Sequence, residues 1–135
     1  MTADELQALL ERALPARDRH GVVVEEAEDQ DVRLRFPFAA DFVGPGEIFS
    51  GPLLLSFADT AVFAAAVAAT GGARLALTST LNATFLRPAQ PADTLAIARV
   101  IRRGRASLHA EAWLFSHAVV DPVLHATATC VLRDP

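Results

Sequence analysis

One carboxylate stands alone in a long uncharged run. From Ile48 to Ala73 the only charged residue is Asp59, set among alanine, leucine and phenylalanine. An aspartate on an apolar helix face loses its water, so it must find a hydrogen-bond partner or hold its proton more tightly. Both outcomes are typical of acids and bases that move protons in catalysis, while a carboxylate satisfied by Ser56, Thr60 or a strand hydroxyl is the purely structural alternative. Just upstream runs Gly44-Pro45-Gly46-Glu47-Ile48-Phe49-Ser50-Gly51, followed by Pro52. A helix beginning there presents unpaired amides and a partial positive charge, which can stabilise an oxyanion where glycine lets a reacting carbonyl approach. Pro52 has no N–H, so Gly51 is the main donor of that turn. Gly51-Pro52 also reads as simple helix-start punctuation.

Two further groups carry chemistry. Thr78, Thr80, Asn82 and Thr84 fall on one face of an alternating run, with Leu77, Leu81 and Phe85 on the other. A row of hydroxyls and an amide can orient a water or a carbonyl, although threonine is also an ordinary strand former on a solvated face. Arg102, Arg103 and Arg105 flank Gly104 at an expected hairpin tip, a concentration of positive charge suited to phosphates, or simply a solvated turn. His20, His109, His117 and His125 are scattered, and each reads as a hydrogen-bonded structural imidazole.

The counts narrow the chemistry. With 135 residues, 52% of them apolar and 21% charged, the chain fits a single folded domain over 1–135 and does not read as disordered. Its net charge of −4 gives no general attraction to nucleic acid or to an anionic membrane. All 12 bases are arginine, which removes lysine Schiff-base and Walker A chemistry. One cysteine, Cys130, excludes an intramolecular disulfide, and the histidine spacing suggests no metal site. The start, MTADELQALLERAL, lacks a basic, apolar leader, so a cytoplasmic location is expected. The stretch from Ile48 to Ala73 is long enough to span a bilayer, but its glycine and proline borders and its central acid favour a helix buried in protein.

The elements that must position these residues follow from periodicity. Asp4 to Leu14 predicts a short amphipathic helix capped by Thr2 or Asp4. Gly21–Glu28 and Asp31–Pro37 predict a hairpin turning at Asp29-Gln30-Asp31, and 41–51 a loop. Pro52–Thr70 predicts one helix, stopped by Gly71 and apolar nearly all round, hence wrapped by other elements. Four strands follow over Arg74–Leu86, Thr94–Arg102, Ala106–Ser116 and Val123–Arg133. This order is that of an α+β domain with an antiparallel sheet curled around the long helix, whose exposed edge invites a second subunit.

The run GPGEIFSGPLLLSFADTA, with TSTLNATFLRPA beginning at Thr78, resembles the hotdog-fold thioesterases of the phenylacetate-pathway and human thioesterase-superfamily type. The likeness spans Gly21 to Leu132. It implies a hotdog fold and hydrolysis of an acyl-CoA, with no metal or cofactor beyond the CoA thioester as substrate. By position, the family's catalytic carboxylate falls on Asp59, its oxyanion glycine on Gly51, its orienting strand hydroxyl on Thr78 and its strand asparagine on Asn82. The family's loop asparagine and histidine are here Gly44 and Ser50, placed beside the substrate, and its second glycine is Pro52. The resemblance also implies a homodimer or homotetramer whose sites lie between subunits, with Arg102, Arg103 and Arg105 at the phosphates of CoA. Leu53, Leu54, Phe57 and Phe63 are bulky enough to line or block an acyl tunnel. The altered loop favours a second reading, a non-catalytic acyl-CoA-binding or regulatory protein; hotdog hydratases are a third, which lacks its usual histidine here.

Overall fold

The computed structural model describes residues 1–27 and 31–135. Thr2 opens the first helix, α1 (Ala3–Ala13), through a reciprocal cap in which its hydroxyl accepts from Glu5 N–H at 3.1 Å and the Glu5 carboxylate accepts from Thr2 N–H at 3.3 Å. Leu6, Leu9 and Leu10 form its buried side. A short helix that the periodicity does not signal, α2 (Ala16–Arg19), turns the chain after Pro15.

Six strands form one antiparallel sheet: β1 (Val23–Glu26), β2 (Asp31–Phe36), β3 (Leu75–Phe85), β4 (Thr94–Arg103), β5 (Ser107–Ser116) and β6 (Pro122–Arg133), in the order β1-β2-β4-β5-β6-β3. The expected first hairpin is present, but its turn at Asp29 and Gln30 lies outside the described residues. The long helix, α3 (Gly51–Ala69), packs on one face of this sheet and touches β2 through β6. Small residues face each other across that contact: Ala58, Ala61, Ala64, Ala65 and Ala66 of the helix are buried, as are Ala96, Ala98, Ala110, Ala112, Ala126 and Ala128 of the sheet. With little side-chain bulk between them, helix and sheet backbones approach closely.

α3 is long and apolar enough to cross a bilayer by length and composition, and ten of its residues are buried within the protein. It ends where Gly71 and Gly72 take φ of +61° and +83° and return N–H groups to Ala68 and Val67 carbonyls, both at 2.9 Å. The sheet curls on the helix as expected, but the cover is not all round. Pro52, Leu55 and Asp59 are exposed and Phe63 is only half-buried, a stripe at three- and four-residue spacing. The curled sheet, α1 and the preceding loop cover the rest of the helix circumference, and among the described residues the stripe is only bordered, by the start of β3 and the α1–α2 corner.

The loop from β2 to α3 is held by aromatic packing. Phe36 meets the ring edges of Phe42, Phe49 and Phe57 at 5.3, 5.3 and 5.2 Å, and His20 stacks on it at 5.6 Å. Backbone bonds complete the anchoring, from Phe49 N–H to Ala89 O and from Ser50 N–H to Phe42 O, each 2.9 Å.

Candidate functional site

Asp59 finds its partner across the gap to β3, where the Thr78 hydroxyl donates to Asp59 Oδ1 at 2.7 Å. One carboxylate oxygen is thereby fixed and Oδ2 is left for other work. The pair is exposed in a single chain, so the desolvated aspartate expected from the apolar run is instead a surface carboxylate on the uncovered stripe. Ser56 and Thr60 do not satisfy it; Thr60 donates to the Ser56 carbonyl at 3.2 Å.

Thr78 reaches Asp59 because β3 is bulged. Thr78 pairs with Cys130, whereas Thr80 pairs with Thr129, so Ser79 is an extra residue in the ladder. The bulge reverses the alternation. Thr78 shares the helix-facing side with buried Cys130, while Thr80, Asn82 and Thr84 lie opposite Thr129, Thr127 and His125 on the outer face. The expected single row of hydroxyls is therefore split, and Asn82 stands on the other side of the sheet from Asp59. There it borders a separate depression with Ile101, His109 and Thr129. Alternation cannot reveal such a slip in Thr-Ser-Thr, where every candidate residue is polar.

Beneath Thr78 lies Cys130, fully buried. Burial pushes its thiol pKa up, the hydrogen bond with Thr78 pulls it back in part, and the Asp59 charge raises it again. Sequence spacing offers no sign that the cysteine underlies the carboxylate.

Gly51 begins α3, with an N–H that the helix itself cannot satisfy. Ser50 stands at the N-cap position without a capping bond from its side chain. Gly44 donates to Ile48 O at 2.8 Å and passes Ser50 closely; a Cβ on Gly44 would meet the Ser50 Cα at 3.4 Å. On Gly51 a Cβ would meet only the Phe85 ring, at 3.7 Å. A cavity of about 290 Å³ opens here between Ile48, Gly51, Leu54, Phe85 and Leu86.

Within one chain, Gly51 and Asp59 are apart. Eight residues of helix separate them by about 12 Å along the axis and roughly 80° around it. One carbonyl cannot touch both.

A second cavity, about 690 Å³, is bordered by Asp59, Thr78, Phe63, Leu14 and Leu75. A third, about 740 Å³, lies beyond Leu77 and Thr78 against Arg74, Val131 and Arg133. Of the bulky helix residues, Phe57 is in the core, Leu54 borders the Gly51 cavity and Phe63 borders the Asp59 cavity. Leu53 packs half-buried against the core.

The arginine tip is partly structural. Arg103 donates to the Ala69 carbonyl at 3.0 Å, closing the negative end of α3. Arg74, which the sequence does not single out, braces the tip by donating to Arg105 O at 2.8 Å and to Leu132 O at 3.2 Å. Arg102 and Arg105 are exposed. Since Ala69 is ten residues from Asp59, the tip lies about 15 Å from the carboxylate along the helix, whereas Arg74 and Arg133 share a cavity with Thr78.

The histidines are held structurally in three cases. His125 contacts Glu111 at 3.2 Å and stacks on Trp113 at 3.9 Å, His109 meets the Thr129 hydroxyl at 3.1 Å, and His20 lies on Phe36. His117 takes a left-handed turn with φ +48°. Among the described residues no cluster of three His, Cys, Asp or Glu side chains could hold a metal.

A sequence profile described as Thioesterase superfamily matches residues 46–117, more than half the chain, and includes Gly51, Asp59 and Thr78. The chain belongs to the thioesterase superfamily. Its α+β architecture, an antiparallel sheet curled on a long central helix with a short N-terminal helix, is the hotdog fold. Among solved structures, this superfamily member is similar to a candidate thioesterase from a Silicibacter species, at 27% identity and TM-score 0.86, covering 98% of this chain and 92% of the other. It is also similar to a candidate thioesterase from Ralstonia eutropha described as related to phenylacetic acid degradation, at 25% identity and TM-score 0.76, covering 93% and 96% of the two chains. A thioesterase from Haemophilus influenzae shares the fold at 16% identity and TM-score 0.82, over 99% and 92%. No curated protein matches the chain. Thioester hydrolysis is the general activity that membership and the Silicibacter and Ralstonia neighbours support.

Proposed function

We propose that the protein hydrolyses an acyl-CoA thioester at a site completed by two copies of the chain, Asp59 and Thr78 from one and Gly51 from the other. The observation that carries this reading is the 2.7 Å bond from Thr78 to Asp59 on an uncovered helix stripe. It orients the carboxylate and leaves Oδ2 to take a proton from water, or to attack the carbonyl itself. The tetrahedral oxyanion then rests on Gly51 N–H at the positive end of α3. Its collapse breaks the C–S bond and expels the thiolate, which takes up the proton given by the attacking water. On the direct route, water then hydrolyses the aspartyl anhydride and supplies that proton. No metal or redox cofactor takes part in these steps.

Self-association supplies what one chain lacks. β3 is an edge strand of 11 residues, and Leu77, Phe85 and Leu86 on or beside it are 52, 52 and 44% exposed. Such an edge is a template for a second strand. Antiparallel pairing of two β3 strands about a two-fold axis sets the Leu77–Thr78 end of one against the Phe85 end of the other. Phe85 lies over Gly51, so the partner's helix start is carried to the Asp59–Thr78 pair. A homodimer, or a tetramer of such dimers, is the expected assembly. The cavity against Arg74 and Arg133 is then the exit for the thiol arm, with Arg102 and Arg105 farther out for phosphate; a cytoplasmic location fits a CoA substrate.

Thiol release from a panel of acyl-CoAs, followed for the wild type and Asp59→Asn, tests the assignment. A loss of about 10²–10⁴-fold in rate is expected; equal rates overturn it. A second reading, acyl-CoA binding without turnover, is favoured by Gly44 and Ser50, neither of which places a histidine or amide side chain by the carbonyl. Tight binding with no thiol release decides for it.

A further inference from the structure

We propose that the cavity between α3, the α1–α2 corner and the start of β3 receives the acyl group, that Phe63 sets the size it accepts, and that Asp18 restricts it to neutral acyl groups. This rests on the hydrolase reading above and names the substrate class of that site.

Asp59 and Thr78 border this cavity directly, so a thioester carbonyl held at the carboxylate has the space on one side and the Arg74–Arg133 cavity on the other. Leu77 and Thr78 are common to both spaces, which makes the pair the dividing point between acyl group and thiol arm. A volume of about 690 Å³ suits a small-molecule group. Phe63 follows Asp59 by one helical turn on the same stripe, about 6 Å farther from the reacting carbon. Leu14 and Leu75 face the space with it, giving the acyl group an apolar wall from three elements.

The polar side of the cavity has one sign. Asp18, on α2, borders it, and no arginine or histidine lines it among the described residues. The nearest cation to Asp18 is Arg17, at 3.6 Å and 85% exposed in its side chain, so it neutralises Asp18 weakly. An acyl group ending in a carboxylate would meet Asp18 while its thioester faces Asp59. Neutral, apolar acyl groups meet no such repulsion, so discrimination comes from a built-in clash of charge.

The test measures kcat/KM by thiol release for straight-chain acyl-CoAs of increasing length and for matched ω-carboxylated acyl-CoAs. Wild type is expected to prefer the neutral member of each pair by about tenfold or more, and Asp18→Arg to shift that ratio by about tenfold towards the carboxylated one. Phe63→Ala is expected to move the length optimum upward and Phe63→Trp downward, with changes of about tenfold for substrates at the margins. Should Phe63→Ala fold poorly, Leu14→Phe narrows the same space from the other side and must shorten the optimum. An active wild type whose charge ratio ignores Asp18→Arg and whose length profile ignores every size variant overturns the acyl pocket and leaves hydrolysis standing. A wild type that releases thiol from no substrate overturns the hydrolase reading itself.

Discussion

Thr78 does one thing that a valine of the same shape could not: it donates to Asp59 Oδ1. Thr78→Val is therefore expected to lower kcat by about tenfold or more with a smaller change in KM, since the free carboxylate is then held by no donor. Thr78→Ser is expected to restore most of the rate, because it keeps the hydroxyl; equal loss in both variants would show that shape and not the bond matters. Cys130 has its thiol pKa pushed up chiefly by burial, so at neutral pH it stays protonated and shielded. Native protein should react with a thiol reagent far more slowly than unfolded protein, and rapid native labelling would contradict this. The sequence shows Asp59 as the one charge in its helix and Thr78 as one of several candidate hydroxyls. It does not show which hydroxyl reaches the carboxylate, because that depends on one extra residue in β3 rather than on residue type.

Elements set the precision of the site. The loop entering α3 is fixed through Phe36, which is fully buried and touches the rings of Phe42, Phe49 and Phe57. Phe36→Ala is expected to cost about 3–5 kcal/mol of stability by denaturant unfolding, since it leaves a cavity where three rings met. A loss under 1 kcal/mol would mean that the loop anchors itself by other means. The long helix and the strands were legible to within a residue or two, since alanine and leucine runs, β-branched alternation and glycine stops act locally. The short α2 turn and the β3 bulge were not, because each depends on how the chain packs after Pro15 and against β6. The uncovered stripe of α3 is not legible in the sequence for a related reason. Apolar composition says that a helix needs cover, but does not say whether this chain or another copy provides it.

At the scale of the whole molecule, pH acts through the outer face of the sheet. Partial burial pushes the Glu25 carboxyl up, but Arg35 and Arg33 together outweigh it and hold its pKa below the ordinary value. Glu111 behaves likewise, with burial opposed by His125 and Arg99. A carboxyl with a lowered folded-state pKa stabilises the fold above its unfolded pKa and loses that contribution as pH falls through the folded value. Stability should thus decline on acidification below about pH 4.5, and Glu111→Gln should flatten that decline; an unchanged slope would remove Glu111 from the account. The resemblance carries the fold across the chain and implies paired copies, for which the residues themselves offer only an exposed edge strand. Mixed oligomers are the sharpest test of a site shared between two chains. Gly51→Pro removes only an N–H at a helix start where proline is tolerated, and Asp59→Asn removes only the carboxylate. Each variant alone should be nearly inactive in thiol release. Mixed and allowed to exchange subunits in equal amounts, they should recover about a quarter of wild-type activity, because half of the pairs then hold one site with both groups intact. A mixture that exchanges subunits yet stays as inactive as its parents would contradict a site shared between two chains.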